Sequence, residues 1–201
     1  MKLPFTFFQQ ETTKTAVELL GQTLVRVTKK GTVFKGRIVE TEAYLGLEDS
    51  SCHSFGGRRT NRTKTMYLQG GHAYVYFTYG MHYCFNVVTG GQDQPEAVLI
   101  RAVQPLKGIE EMMINRKLED TFNLTNGPAK LCQAMKIDKS LNGESLMGNS
   151  IYVENGKAIS FQEMAVDKRV GLSLYSDSYY WPLRFYIKNN PYVSVKNKNY
   201  L

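Results

Sequence analysis

The sequence predicts an α+β fold: a single domain in which helices surround a curved, mainly antiparallel β-sheet that extends one protruding β-hairpin. Three observations carry this expectation. Strand-like alternating runs follow one another through short turn signals, at residues 29–31 and around Gly80, and such turns join neighbouring strands antiparallel. Short apolar stripes at helical spacing lie between them. At 201 residues the chain is long enough for one continuous core, and no repeat, linker or low-complexity tract divides it.

In chain order, Thr12 or Thr13 caps a short helix running through Leu20, with Ala16, Val17 and Leu20 on one stripe and Gly21 as its stop. Strands at 23–27 and 32–43 then flank Lys29, Lys30 and Gly31 as a hairpin. The second strand contains the run RIVETEAY, residues 37–44. Strict alternation puts Ile38, Glu40, Glu42 and Tyr44 on one face and Arg37, Val39, Thr41 and Ala43 on the other. Two glutamates on the face of Ile38 and Tyr44 break the pattern of a core strand, a local conflict of the kind that marks functional sites. A lone strand glutamate more often sits on a solvated face, so the weight of this observation comes from residues further along the chain.

Residues 46–65 form a polar segment with Arg58, Arg59, Arg62 and Lys64, long for a structureless connection. The run AYVYFTYGMHYCFNVV, residues 73–88, reads as a hairpin with its tip at Gly80. Tyr74 and Tyr76 share one face before the turn and Cys84 and Asn86 share one after it. Tyr74 is assigned to the core, while Tyr79 and Met81 are left near an exposed tip. An apolar strand at 97–103 carries Arg101, and a helix from about residue 107 places Ile109, Met112, Met113 and Arg116 at helical spacing. Asn126, Gly127 and Pro128 open a helix over 129–136, with Lys130 in its first turn. Strand-sized pieces follow at 151–154, 183–187 and 192–195, separated by Asn-Gly and Asn-Pro turn signals.

Twenty-five Lys and Arg against 18 Asp and Glu give a net charge of +7, which suits a polyanionic partner. The three cysteines, Cys52, Cys84 and Cys132, suggest neither a disulfide framework nor a metal knuckle. The spacing of Cys52, His53, His72, His82 and Cys84 fits no metal pattern, so neither a metal nor another cofactor is expected. The N-terminal run is interrupted by Pro4 and Thr6, and no 18-residue apolar stretch exists. A soluble cytoplasmic protein without a membrane partner is the expectation.

The segments VETEAYLG, HSFGGRRT, YVYFTYGMHYCFNVV, VLIRAVQP, NGPAKL and PLRFYI occur in that order over most of the chain. Together they resemble the alkyladenine (3-methylpurine) DNA glycosylase family. The resemblance implies a monomeric enzyme that flips an alkylated or deaminated purine out of duplex DNA and hydrolyses its N-glycosidic bond. It implies that Glu42 is the general base that deprotonates water, that Arg101 and the Leu172 carbonyl help hold that water, and that Glu40 is structural. Tyr44, His53 and Tyr76 would form the slot that stacks the extruded base, with the His53 main chain reading its edge and Asn86 excluding the amino group of guanine. Tyr79, with Met81 beside it, would be the wedge that enters the gap left in the helix. TNRT stands where TPRN is common in the family, and His82 where a further aromatic is frequent; both concern the grip on DNA rather than the chemistry. The long N-terminal extension of some animal members is absent, which suggests a compact bacterial form acting at the nucleoid.

The physical requirements agree with these roles. Extracting a base costs a few kcal/mol of stacking, and aromatic walls return roughly 1–3 kcal/mol per base. Electron-rich walls from Tyr44 and Tyr76 are expected to favour a cationic lesion such as 3-methyladenine. No lysine falls in the central motifs, so hydrolysis without strand cleavage is expected, with Lys130 the one candidate against. Two other classes compete: a non-catalytic basic and aromatic nucleic-acid-binding module, and a hydrolase of free nucleosides. Glu42 separates the enzyme from the first, and the positive charge argues against the second.

Overall fold

A computed structural model describes residues 1–78 and 80–195. In it the hairpin expected near residue 30 forms from β1 (Thr23–Val27) and β2 (Val33–Tyr44), and the aromatic hairpin from β3 (Ala73–Thr78) and β4 (His82–Thr89). Next come β5 (Glu96–Lys107), β6 (Ile151–Glu154), β7 (Met164–Asp167) and β8 (Arg184–Ile187). Among the described residues these eight strands form one antiparallel sheet, ordered β3-β4-β5-β2-β1-β6, with β8 pairing β2 and β7 pairing β8. The helices are α1 (Thr12–Glu18), α2 (Ile109–Arg116) and α3 (Pro128–Ala134). The fold is therefore the expected α+β domain, and no described helix is long and apolar enough to cross a membrane.

The centre of the sheet is β2, because its twelve residues have neighbours on both edges. Along one edge runs β5, from Lys35 opposite Lys107 to Tyr44 opposite Ala97. The other edge is shared: β1 covers Val33 to Arg37, and β8 covers Glu40 to Glu42. The stretch carrying the glutamates is thus enclosed by backbone on both sides, which explains how such poor strand formers are held extended.

A β-bulge between Ile38 and Glu40 overturns the strict alternation expected of β2. Ile38 joins the main core cluster with Ala43 and Ile100, whereas Val39 packs in a second cluster with Ala102 and Tyr186. Ile38 therefore does not share the glutamate face. Thr41 faces the main core, where its hydroxyl donates to the Ala16 carbonyl at 2.8 Å.

Two local expectations also change, and two segments take a form that the sequence left open. The cap of α1 is Glu11, whose carboxylate accepts from the N–H groups of Thr13 and Lys14. Carboxylate oxygens at a helix start satisfy donors that a Thr hydroxyl would otherwise have to reach. Residues 192–195 are a turn rather than a strand, held by Tyr192 N–H to Asn190 Oδ1 at 2.9 Å and Ser194 N–H to Glu40 Oε2 at 2.6 Å. β7, which no sequence pattern predicts, forms by pairing with β8. The segment 46–65 is built from short 3-10 turns, including Gly46–Glu48 and Phe55–Gly57, rather than being structureless.

Candidate active site

Glu40 and Glu42 emerge from β2 after the bulge, and both are fully buried. Burying two carboxylates demands paired charge and hydrogen bonds, and the structure supplies both. Arg101, from the neighbouring strand β5, bridges them: its Nε donates to Glu40 at 3.0 Å and its Nη1 lies 3.2 Å from Glu42 Oε1. Burial opposes the charge of Arg101, but Glu42 and then Glu40 outweigh it and push the guanidinium above its ordinary range. Glu40 is held further by Arg184 Nε at 2.7 Å and by the Ser194 N–H and hydroxyl. Every bond of Glu40 thus goes to protein.

Glu42 is arranged differently. Tyr44, two residues on and so on the same face, donates its hydroxyl to Oε2 at 2.9 Å. Val170 N–H donates to Oε1 at 2.7 Å. Burial first, and then the Glu42 carboxylate, push the Tyr44 phenol well above its ordinary value, so it remains a donor. A carboxylate has about four lone-pair sites, and Tyr44, Val170 and Arg101 take three, leaving one for an incoming donor such as water.

Arg169, the residue before Val170, is fully buried against Asp49 in a two-pronged pair with distances of 2.5 and 2.8 Å. Its Nη1 also donates to the Ala43 carbonyl at 3.0 Å, and its guanidinium stands 4.6 Å from the centre of the Tyr44 ring. Desolvation raises the Asp49 carboxyl, but hydrogen bonds from Arg169 and Ser178 outweigh it and hold the group below its usual value. This pair joins the segment that supplies Val170 to the turn following β2, fixing Tyr44 between them.

Tyr44, bonded to Glu42, lines one cavity with His53, Tyr74, Tyr76 and Asn86. The structure therefore brings together the aromatic slot expected from the sequence and adds Tyr74, which had been assigned to the core. Tyr74 is indeed buried, but its hydroxyl reaches His53 Nδ1 at 2.9 Å. Arg62 approaches His53 Nε2 at 3.3 Å, and because a guanidinium only donates, that nitrogen accepts and the proton of neutral His53 sits on Nδ1. Burial, then Arg62 and Arg58, lower the His53 pKa to about 4. His53 packs edge-on to Tyr76 with ring centres 4.6 Å apart. Asn86, on β4 opposite Tyr74, donates its amide to the Tyr74 carbonyl at 3.0 Å. The cavity encloses about 20 Å³, room for a single water and not for a base.

The remaining expected residues lie around this centre. Met81 is 70% exposed at the hairpin tip. Tyr79 lies outside the described residues. Leu172 is half-buried, and the contact between its segment and Glu42 runs through Val170 N–H. Lys130 bonds Asn126 at 2.8 Å and does not line the cavity. Sequence reasoning missed Asp49, Arg169, Arg184 and Ser194. Arg184 had a signal, an arginine embedded in the apolar run PLRFYI just as Arg101 is embedded in VLIRAV. The Asp49–Arg169 pair, joined across 120 residues, had none.

The model of the methylpurine-DNA glycosylase family matches residues 6–191. A protein of Natranaerobius thermophilus is 47% identical, the match covering 97% of this chain and all of that protein. One from Desulfitobacterium hafniense is 46% identical over 94% of this chain and 97% of its own length, and one from Clostridium acetobutylicum 46% identical over 99% of this chain and all of its own. All three carry the name "Putative 3-methyladenine DNA glycosylase".

Proposed function

This chain belongs to the methylpurine-DNA glycosylase family, and from that premise we propose that it releases alkylated or deaminated purines from duplex DNA by base flipping. The lesions are 3-methyladenine, 7-methylguanine, hypoxanthine and ethenoadenine. It works as a monomer in the bacterial cytoplasm, on DNA of the nucleoid. The observation that carries the reading is the placement of Glu42: a buried carboxylate with one acceptor site to spare, bonded to the hydroxyl of Tyr44, which lines a cavity together with Tyr74 and Tyr76.

The chemistry follows from that placement. As the bond between C1′ and the purine nitrogen breaks, its electron pair leaves with the base and positive charge builds on the sugar. The Glu42 carboxylate stabilises that charge and takes a proton from water, whose oxygen forms the new bond to C1′. Arg101 and the Leu172 carbonyl hold the water; Arg101, Tyr44 and Val170 keep the carboxylate aimed. The base stacks between Tyr44 and the pair Tyr76 and His53, Asn86 excludes the amino group of normal guanine, and Tyr79 with Met81 fills the gap in the helix. Hydrolysis without strand cleavage is part of the proposal; among the described residues no lysine lines the cavity.

The test is Glu42→Gln, which retains size and an acceptor for Val170 but removes the base. Single-turnover release of hypoxanthine from a defined duplex is expected to fall by roughly 10²–10⁴ while affinity for that duplex stays within a few-fold. Release at the wild-type rate would take Glu42 out of the mechanism.

A further inference from the structure

The two tyrosine walls are not free aromatic rings. Arg169 stands against Tyr44 at 4.6 Å and Arg62 against Tyr76 at 4.9 Å, each measured to the ring centre. Tyr76 separates two spaces: it lines the closed cavity with Tyr44 and His53, and it lines an outer groove with Arg62 and Lys139. Arg62 belongs only to the outer groove, so its guanidinium covers the side of Tyr76 turned away from the cavity. A cation on one face of a ring draws its electron density toward that face and weakens the attraction of the opposite face for a second cation.

The charges around the cavity show which arginine matters. Glu40 is matched by Arg184, Glu42 by Arg101 and Asp49 by Arg169. Among the described residues no carboxylate pairs with Arg62, and His53, its hydrogen-bond partner, carries no balancing negative charge. Arg62, like Arg58, which also acts on His53, keeps its charge uncancelled, and of the two it is Arg62 that stands over the Tyr76 ring.

We propose that Arg62 is a specificity-determining residue, its guanidinium depleting Tyr76 of electron density and so biasing the cavity toward neutral purine lesions and against cationic ones. This rests on the proposed function, and it reverses the expectation from bare tyrosine walls that a cationic base is favoured. Arg62 acts on the base through the wall residues it contacts, Tyr76 and His53, rather than by direct contact. It is exposed, so its replacement leaves the core and the Glu42 network intact.

The experiment compares wild type, Arg62→Gln and Arg62→Lys on two duplexes differing at one position, 7-methylguanine (cationic) or hypoxanthine (neutral). Single-turnover rates are taken at pH 8, where His53 is neutral throughout. In Arg62→Gln the ratio of 7-methylguanine to hypoxanthine release is expected to rise by about threefold or more, and Arg62→Lys, which keeps the charge, to stay near wild type. An unchanged ratio in Arg62→Gln, with both rates equal to wild type or falling together as they would for a phosphate contact, overturns the proposal. So does a shift in Arg62→Lys as large as in Arg62→Gln. Wild-type protein that frees neither base removes the functional reading itself, a result distinct from an active enzyme with an unmoved ratio.

Discussion

Each buried ionisable group around the cavity has a definite protonation state, and His53 shows what that implies for stability. Its neutral form is required by the Arg62 contact, which needs an unprotonated Nε2, and its pKa falls from 6.5 in the free side chain to about 4 in the fold. Between those values the unfolded chain binds more protons than the folded one, so stability declines as the pH drops through that interval. His53→Gln removes the titration. The stability advantage of wild type over this variant is expected to shrink by ~2 kcal/mol between pH 7 and pH 4, as read from urea unfolding at each pH. A difference that is flat with pH would mean that His53 is solvated and titrates normally. At this scale the pairing of Glu42 with Tyr44 was legible, because alternation puts a carboxylate and an aromatic on one strand face, while Arg101, Tyr76 and Asn86 were singled out through the family motifs they sit in. The Asp49–Arg169 pair was not legible, since nothing local to either residue announces a partner 120 positions away.

Among the elements, β2 decides the site, and its turning point is the irregular pairing with β5. Glycine at position 36 permits it: a Cβ there would come within 2.6 and 2.8 Å of Val103 side-chain atoms. Gly36→Ala is accordingly expected to destabilise the protein by roughly 1–3 kcal/mol in chemical denaturation. An effect below ~0.5 kcal/mol would show that β5 yields without strain. The bulge was invisible in the sequence because RIVETEAY alternates without interruption, and only the pairing with β5 inserts the extra residue. The strand forecast for 192–195 failed for a related reason. Pro191 and Asn190 start a turn there, and the Ser194 N–H finds its acceptor in Glu40 rather than in a sheet partner. β7 contributes only four residues and depends on β8 for its hydrogen bonds, so no periodicity of its own identifies it.

At the scale of the whole molecule, the net charge of +7 is distributed partly along the exposed Arg58, Arg59, Arg62 and Lys64, next to the hairpin that carries Met81. Arg59 is engaged with Asp93 at 2.9 Å, and Arg58, Arg62 and Lys64 make no salt bridge among the described residues. Affinity for undamaged duplex is expected to fall by at least about tenfold between roughly 50 and 200 mM salt, and replacing Arg58 and Lys64 by Gln to flatten that dependence. Salt-insensitive binding would contradict an electrostatic grip. The fold class was readable at this scale because turn chemistry and strand alternation agree along the chain, but the closed state of the cavity was not. It depends on how His53 and Tyr76, brought together from different segments, settle against one another.

That small volume bears on how the proposed excision would treat intact DNA. With space for one water among Tyr44, His53, Tyr74, Tyr76 and Asn86, these side chains as they stand leave no room for a purine between them. An ordinary paired base would have to leave its stack and also push a pair of aromatic side chains aside before meeting the carboxylate. On the proposed base-flipping route, a nucleotide whose pairing is already disrupted has only the second barrier left, so the narrow cavity would disfavour sound DNA before any contact with the base itself is tested.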